Sequence, residues 1–341
     1  MISQRPTVQV RGENQAQALR AHLDQTLPQL QALPGVVGVT LNGGLSRGYA
    51  DQLSEIDVTL YLDAPTFAAW EQGRAPLGTG IVMLDGQLYD IKFVNLETES
   101  ARQWESMELW DLSYAEILFD PTGAVALLFV DKLAPPQPSA AGGLMFSAWW
   151  YFRLAGDIWL QRGDVLQGQV MLNHAVEALV KALFLANGEY QPHEKWLIHL
   201  SRSLAWKPPD WETRLARCLL AVDETEAGLR QRQAEIVRLW DEIDRHIIEQ
   251  HCPDLPVRLM QKYFYDLLAW LVERRRLTVA EWQERAGLAL LNTAPFYLIV
   301  RREGECLVLD AERLAQIQPE DLYRWHFEVL AAVRTLAGNL R

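Results

Sequence analysis

Two carboxylates, separated by a single residue, stand where a hydrophobic run begins. Glu55 and Asp57 flank Ile56, and the apolar run continues to Leu62. Alternate residues of a strand point to the same face, about 6.5–7 Å apart along it. Both carboxylates could therefore contact one cation, and their oxygens favour Mg²⁺ or Mn²⁺ over softer ions. The alternative is a strand start with polar flanks.

A glycine pair upstream adds a second chemical feature. Gly43 and Gly44 follow the apolar run 36–41 and precede Ser46 and Arg47. A turn without side chains lets backbone N–H groups approach an anion. We expect the turn and Ser46 to bond phosphates and Arg47 to support the loop or its charge, unless Ser46 simply caps a helix. A phosphate site beside a cation site is what metal-assisted phosphoryl or nucleotidyl transfer requires.

A third carboxylate lies in a predicted hairpin. Two alternating runs over residues 80–94 are separated by Asp85-Gly86, a dipeptide typical of hairpin turns. Asp90 has apolar neighbours in the second run, so a sheet would place it beside the first two carboxylates. The alternative is a surface aspartate on an edge strand.

These residues carry a family resemblance. Gly-Gly-Leu-Ser-Arg-Gly-Tyr-Ala from Gly43 and Ser-Glu-Ile-Asp-Val from Ser54 resemble the signature of the polymerase-β-like nucleotidyltransferase superfamily. The nearest pattern, in its minimal and antibiotic-modifying branches, reads Gly-Ser-x-x-Arg-Gly-x-Ala and then Ser-Asp-Ile-Asp. Gly44 replaces the commoner serine, and Glu55 stands where the family nearly always has aspartate. The extra methylene of Glu55 could displace a metal.

The resemblance implies roles for the three carboxylates. Glu55, Asp57 and Asp90 would be the catalytic residues and would ligate Mg²⁺ or Mn²⁺, with Asp57 bridging two ions. Asp90 would take a metal or deprotonate the acceptor. The implied reaction moves a nucleoside monophosphate from an NTP to a hydroxyl of a small molecule or protein. The expected donor is ATP, which would supply AMP. The alternatives are a catalytically weakened nucleotide-binding regulator and a toxin–antitoxin-type module.

A second resemblance lies further along the chain. The segment from Tyr190 to Trp196 resembles the Tyr-x-Pro-x-x-Lys-Trp segment of an uncharacterised family attached to this transferase fold. Lys195 is then a candidate for holding the triphosphate, because a flexible ammonium binds phosphate as a point charge. Its alternative is a solvated surface lysine. Several tryptophans nearby could stack on a base or sugar, although a core-filling role is the stronger interpretation: Trp149, Trp150, Trp159 and Trp196.

A rival pattern and the charge balance bear on the substrate. Arg245 and His251 fit the loose spacing of RNase-type helical domains that partner minimal nucleotidyltransferases.

The chain has 32 Lys and Arg against 44 Asp and Glu, a formal net charge of −12. Because nucleic-acid affinity depends largely on Lys and Arg neutralising phosphates, long nucleic acid is disfavoured. An acidic surface suits a cationic acceptor better, as in enzymes that modify aminoglycosides.

The composition places the protein among ordinary soluble globular chains, with 49% hydrophobic and 22% charged residues. We find neither the ~20 consecutive apolar residues of a membrane span nor the apolar core of a signal peptide. The 3 cysteines lie far apart, without metal-ligand spacing or a disulfide framework. We expect a cytoplasmic protein without a membrane partner, and a homodimer is compatible with the sequence.

The surrounding elements predict an α+β fold. An amphipathic helix over 13–33 precedes strands over 36–41 and 56–62, and helices over 64–73 and 98–120 flank the hairpin. A small mixed β-sheet nucleotidyltransferase domain is therefore expected, followed by a mostly helical domain.

The domain boundary is expected at a linker rich in proline, alanine and glycine over residues 135–143. The predicted catalytic domain is 1–134, and the mainly helical domain is 144–341 with a late hairpin from Phe296 to Leu309. By the resemblance, the helical domain would cover the cleft and the acceptor site. Its predicted helices span 144–163, 165–187, 212–223, 226–250, 256–275 and 278–286, with a last one from Pro319 to about Leu336.

Overall fold

The computed structural model describes residues 5–9, 11–220 and 223–339, without the side chains of residues 338 and 339. These residues form an α+β protein with a small mixed sheet, as the sequence predicts. Residues 221 and 222, at the end of the helix predicted over 212–223, lie outside the described residues.

The chain divides into two compact units. The sheet unit comprises Met1–Gln137 and Leu183–Lys207, and the helical unit comprises Pro138–Ala182 and Pro208–Arg341. The sequence-based division places all of residues 144–341 in a helical domain. The structure instead groups residues 183–207, which include Lys195, with the sheet unit.

The helices and strands are numbered in chain order. The first group is α1 (Ala16–Gln31), β1 (Val36–Leu41), α2 (Gly43–Ser46), β2 (Ile56–Leu62), α3 (Ala64–Ala69), β3 (Gly80–Leu84), β4 (Gln87–Asn95), α4 (Leu96–Ala101), α5 (Ser106–Leu112), β5 (Glu116–Phe119) and α6 (Ala124–Lys132). The second group is α7 (Gly142–Arg153), α8 (Val165–Ala186), α9 (Glu194–Ser201), α10 (Trp211–Leu219), α11 (Glu226–His251) and α12 (Lys262–Arg274). The last group is β6 (Arg276–Thr278), α13 (Val279–Ala286), α14 (Phe296–Ile299), β7 (Val300–Glu303), β8 (Cys306–Leu309), α15 (Ala311–Gln316) and α16 (Arg324–Asn339).

The sheet unit is built on a mixed five-stranded sheet in the order β3-β4-β2-β1-β5. Strands β2 and β4 run parallel, and the other neighbouring pairs run antiparallel. On the central strand β2, Ile56, Val58 and Leu60 are buried in the core that α1 covers. Because side chains alternate along a strand, Asp57 is directed to the opposite face.

The elements nearest the motifs agree with the sequence. The strands over 36–41 and 56–62 and the hairpin over 80–94 are confirmed, with Asp85-Gly86 at the hairpin turn. Asp85 adopts a positive φ of 47°, which aspartate tolerates better than most residues. The carboxylates therefore sit on strands whose positions the hydrophobic pattern predicts.

The single helix predicted over 98–120 is wrong, because this segment forms α4, α5 and β5. The backbone N–H of Glu105 donates to Glu108 at 2.9 Å and begins a new helix. Arg102 forms ion pairs with Glu99 and Glu108 across the break. Strand β5 then pairs with the free edge of β1, a long-range contact that helical propensity does not register.

The helical unit has its own core and a three-stranded sheet in the order β6-β8-β7. The second arm of the predicted late hairpin is strand β8. The first arm is wrong in part, because Phe296–Ile299 is helical and the strand begins at Val300. Phe296 and Ile299 are both 0% exposed. A helical turn buries both of them on one side, since residues three apart share a helix face.

Within the described residues, α8 is the one helix long and apolar enough to cross a membrane by length and composition. Its most apolar window has a mean hydropathy of 1.2, and 67% of that window is buried in the protein. The core helix of a globular protein meets the same test, so this feature alone is weak evidence for a span.

Candidate active site

The two parallel strands bring the predicted carboxylates together. In the β2–β4 register Asp57 pairs with Asp90, and neighbouring strands lie about 4.8 Å apart. The flanking residues Ile56 and Tyr89 are 0% exposed and face the core, so both aspartates lie on the other face. Glu55 directly precedes β2 on the same side as Asp57, and all three carboxylates line one cavity of about 480 Å³.

Asp57 is the most perturbed group of this cavity. Its pKa is raised from 3.8 to about 6, first by burial and then by the neighbouring charges of Glu55, Asp111 and Asp90, in that order of importance. Lys92 acts in the opposite direction, and its Nζ lies 3.8 Å from Asp90 Oδ2. Such a concentration of negative charge favours either a proton or a cation at Asp57.

Gly43 is required where it stands because Asp57 packs directly against it. Its φ is +66°, and a β-carbon there would lie 1.8 Å from Asp57 Oδ2. A β-carbon on Gly44 would lie 3.2 Å from the ring and the carbonyl oxygen of Tyr49. The glycine turn is therefore closed on these two sides by Asp57 and Tyr49, and its backbone reaches the cavity beside the carboxylate.

The turn forms the short helix α2, with Asn42 as its N-cap residue. The Asn42 side chain is buried, donates to Thr59 Oγ1 at 2.6 Å and accepts from Thr40 Oγ1 at 3.1 Å. Within the described residues it makes no capping bond to α2. The first N–H groups of a helix have no intrahelical acceptor, and among the first residues of α2 Gly43 and Gly44 line the cavity.

Ser46 and Arg47 both contact neighbouring protein groups. The Ser46 hydroxyl donates to the carbonyl of Gly43 at 3.0 Å, and Ser46 is the one predicted site residue outside the cavity lining. Arg47 lines the cavity, but its side chain is only 7% exposed and donates to Asp111 at 2.6 Å. Its guanidinium also lies 4.5 Å from the ring centre of Trp110. Arg47 thus joins the glycine turn to α5.

Lys195 lies at the start of α9, on another wall of the same cavity. His193 caps this helix, with its Nδ1 accepting from the backbone N–H of Lys195 at 3.1 Å. Lys195 itself is exposed, so its ammonium is accessible to a ligand. The next residue, Trp196, meets the Tyr49 ring edge-on with 5.1 Å between ring centres.

Other lining residues escaped the sequence analysis, among them Tyr49, Lys92, Trp110 and Asp111. Lys92 follows Asp90 by two residues on β4, so strand alternation could have placed it on the same face. Tyr49 lies inside the glycine motif and could have been considered with it. Trp110 and Asp111 carried no such signal, since their segment was expected to be part of a longer helix.

The rival RNase-type pattern lies in the helical unit. Arg245 and His251 are both on α11, which ends at His251. The rings of His246 and His251 are 6.4 Å apart between centres. Trp149 and Trp150 are also in this unit, where each ring contacts Phe146. Of the four tryptophans considered for stacking, Trp196 is the one that lines the cavity.

The donor set fits a hard divalent cation held in an open site. Among residues 5–9, 11–220 and 223–339, no three acidic, histidine or cysteine groups form a ready-made metal cage. Mg²⁺ is usually held by one or two carboxylates together with water and substrate phosphates. Asp57 and Asp90 supply such a pair, with Glu55 beside them, and a cation would offset the burial and the like charges that raise the pKa of Asp57.

Comparisons with known proteins give distant likenesses. No protein-family model matches the chain, and no curated protein matches it. A solved nucleotidyltransferase-like protein from Exiguobacterium sibiricum 255-15 is 14% identical with a TM-score of 0.43, covering 86% of this chain and 98% of that one. A CCA-adding enzyme in complex with ATP is 13% identical with a TM-score of 0.19, covering 94% and 85% respectively. Both TM-scores are too low for these likenesses to assign a function.

Proposed function

We propose that the protein is a Mg²⁺-dependent nucleotidyltransferase that transfers a nucleoside monophosphate from an NTP, with ATP as the expected donor, to a hydroxyl group. The observation that carries the proposal is the pairing of Asp57 with Asp90 across neighbouring parallel strands. Gly43, packed against the Asp57 carboxylate, places the glycine turn directly beside this pair. An anion site and a cation site thus share one cavity.

The carboxylates would hold the cation. Asp57 and Asp90 are the proposed ligands, and Glu55 is close enough to contribute to the same negative field. When bound, Mg²⁺ would neutralise phosphate charge and stabilise the charge that develops during transfer. Mn²⁺ has the same preference for oxygen ligands and is expected to substitute.

Positive and N–H groups around the carboxylates suit a triphosphate. Gly43 and Gly44, in the first turn of α2, line the cavity, where we expect their backbone N–H groups to meet phosphate, and the exposed Lys195 lies at the start of α9. Lys92, next to Asp90, adds a second ammonium. Trp196, which lines the cavity and meets the buried Tyr49 edge-on, offers aromatic surface on which a base could stack.

The proposed transfer needs no reactant besides the NTP and the acceptor hydroxyl. The acceptor hydroxyl oxygen attacks the α-phosphorus, a new P–O bond forms, and the bond from the α-phosphorus to the bridging oxygen breaks. Pyrophosphate leaves with the bonding electrons, and the hydroxyl proton passes to the Asp90 carboxylate, acting as general base. The acceptor would be a hydroxylated small molecule or a protein.

The test uses the whole protein with ATP labelled on the α-phosphate, Mg²⁺ and a panel of hydroxyl acceptors, including the protein itself. We expect label transfer that Asp57→Asn reduces at least about 100-fold, because it removes a proposed ligand. Asp131→Asn is the matched control, since Asp131 is an exposed aspartate of the same unit, on α6. Equal transfer by wild type and Asp57→Asn would refute the assignment.

Calorimetry on the same samples separates the enzyme from the alternative regulator. If wild type binds ATP and Mg²⁺ but transfers no label to any acceptor, the nucleotide-binding regulator becomes the better description. If it binds no nucleotide in the presence of Mg²⁺, both descriptions fail.

A further inference from the structure

Residues 5–9 lie outside any helix or strand, and this segment, here called the strap, contacts the segment carrying Lys195. Residues 5, 7 and 9 of the strap make the contacts. The backbone N–H of Thr7 donates to Ser203 Oγ at 2.9 Å. The Ser203 hydroxyl donates in turn to the carbonyl oxygen of Thr7 at 3.2 Å. The backbone N–H of Gln9 donates to His199 Nε2 at 3.1 Å.

Arg5, at the start of the strap, has the largest set of contacts. Its guanidinium donates to Glu189 Oε2 through Nε at 3.2 Å and Nη2 at 3.0 Å. It also donates to the carbonyl oxygen of Ser113 at 2.7 Å and to the Ser113 hydroxyl at 3.0 Å. Below it, the ring centre of Tyr114 lies 3.5 Å away. One planar fork therefore holds two separate segments of the sheet unit.

Those two segments continue into two separate groups of cavity-lining residues. Ser113 is the C-cap of α5, and α5 contributes Trp110 and Asp111 to the lining. Glu189 lies just before α9, and the start of α9 contributes Lys195 and Trp196. Arg5 is not itself a lining residue of that cavity, so it can act on a ligand there only through these walls.

We propose that Arg5 is a positioning residue that fixes the α9 wall, and hence Lys195 and Trp196, relative to the α5 wall. This inference rests on the proposed function, because it assigns the clamp to nucleotide binding. When only a fraction of molecules has both walls in place, the apparent affinity for ATP equals the intrinsic affinity multiplied by that fraction. Bound nucleotide selects the competent arrangement, so the rate at saturation is preserved.

The kinetic test compares Arg5→Ala with Arg20→Ala. Arg20 is also paired with a carboxylate of the sheet unit, Glu116 on β5, but it does not line the cavity. We expect Arg5→Ala to raise KM for ATP about tenfold with kcat changed less than about twofold, and Arg20→Ala to change neither. A purely structural role would lower the amount of active protein, and hence kcat, while KM stayed constant.

Arg5→Lys supplies the graded variant. It keeps the charge next to Glu189 but lacks the planar fork that also bonds Ser113, so its KM should lie between those of wild type and Arg5→Ala. Equal KM values for wild type and Arg5→Ala would overturn the clamp, and so would the same KM increase in Arg20→Ala. If Arg5→Ala fails to fold, Ser203→Ala removes the hydroxyl that bonds Thr7 and should raise KM in the same direction.

Hydrogen exchange measured without nucleotide tests the role of Arg5 separately from the proposed transferase function. We expect the backbone amides of α9 to exchange at least about tenfold faster in Arg5→Ala than in Arg20→Ala or wild type. Unchanged exchange in α9 would overturn the clamp even if the enzyme is active. Faster exchange in a protein that binds no ATP would retain the clamp while the proposed function fails.

Discussion

Gly43 and Asp57 are in such close contact that a β-carbon on Gly43 would lie 1.8 Å from Asp57 Oδ2. This relationship couples the two halves of the candidate site, because the backbone that would receive phosphate is packed against the carboxylate that would hold a cation. A side chain at residue 43 must therefore move one or the other.

Gly43→Ala is expected to abolish transfer, with Gly73→Ala as its control. Both glycines have a positive φ, +66° and +80°, but a β-carbon on Gly73 meets no described atom within 4 Å. Both variants should lose about 1–2 kcal/mol of stability from the backbone conformation alone. Only Gly43→Ala displaces Asp57. Urea unfolding and label transfer measured together check this, and an active Gly43→Ala would contradict the proposed geometry.

The perturbed pKa of Asp57 makes folding depend on pH in a defined direction. Its pKa is raised from 3.8 to about 6, chiefly by burial. Between these values the folded protein holds more protons at Asp57 than the unfolded chain does. The contribution of Asp57 to the free energy of unfolding therefore decreases as the pH rises through this window. A shift of this size corresponds to at most about 3 kcal/mol, lost by neutral pH.

Asp57→Asn should remove this dependence. Without divalent cation, we expect the variant to be more stable than wild type by up to about 3 kcal/mol at pH 7.5, and by little at about pH 4. Urea unfolding at both pH values measures the difference, and taking it against wild type cancels the other titrating groups. A difference independent of pH would show that Asp57 titrates normally.

Glu55→Asp tests the departure from the family pattern. Glu55 lines the cavity beside Asp57, with a side chain one methylene longer than aspartate. We expect the shorter residue to increase label transfer, by up to about 100-fold if the methylene displaces the cation by an ångström. Glu55→Gln keeps the length without the charge and should lower it. An inert Glu55→Asp that still binds ATP would favour the regulator.

The sequence predicts the carboxylate strands well because their signals are local. The alternating runs around Asp57 and Asp90 and the Asp85-Gly86 turn each depend on a few neighbouring residues. The side-by-side register of the two aspartates is a long-range fact, which the apolar neighbours of Asp90 suggested and the family resemblance supported. The α5 wall was missed because β5 is defined by pairing with β1, which no local pattern encodes.

Only a family resemblance indicated that Lys195 belongs to the site, because the segment 183–207 is far from the sheet strands in sequence. Its assignment to the sheet unit depends on contacts such as those of Arg5 with Glu189 and of Thr7 with Ser203. Polar pairs with such a large sequence separation produce no periodic pattern in the sequence, so they cannot be predicted from it. The linker-based boundary consequently placed Lys195 in the other domain.

Lys195→Ala should weaken nucleotide binding without disturbing the fold. Lys195 is exposed at the first turn of α9 and lines the cavity, so its removal leaves no buried partner unpaired. A hydrogen bond to a charged group contributes about 1.5–3 kcal/mol, which corresponds to a Kd for ATP with Mg²⁺ that is about 10- to 150-fold higher. Calorimetry measures the change, with Lys207→Ala as the control in the same segment, where Lys207 Nζ bonds the carbonyl of Leu204. Equal Kd values for Lys195→Ala and Lys207→Ala would show that Lys195 is a solvated surface lysine.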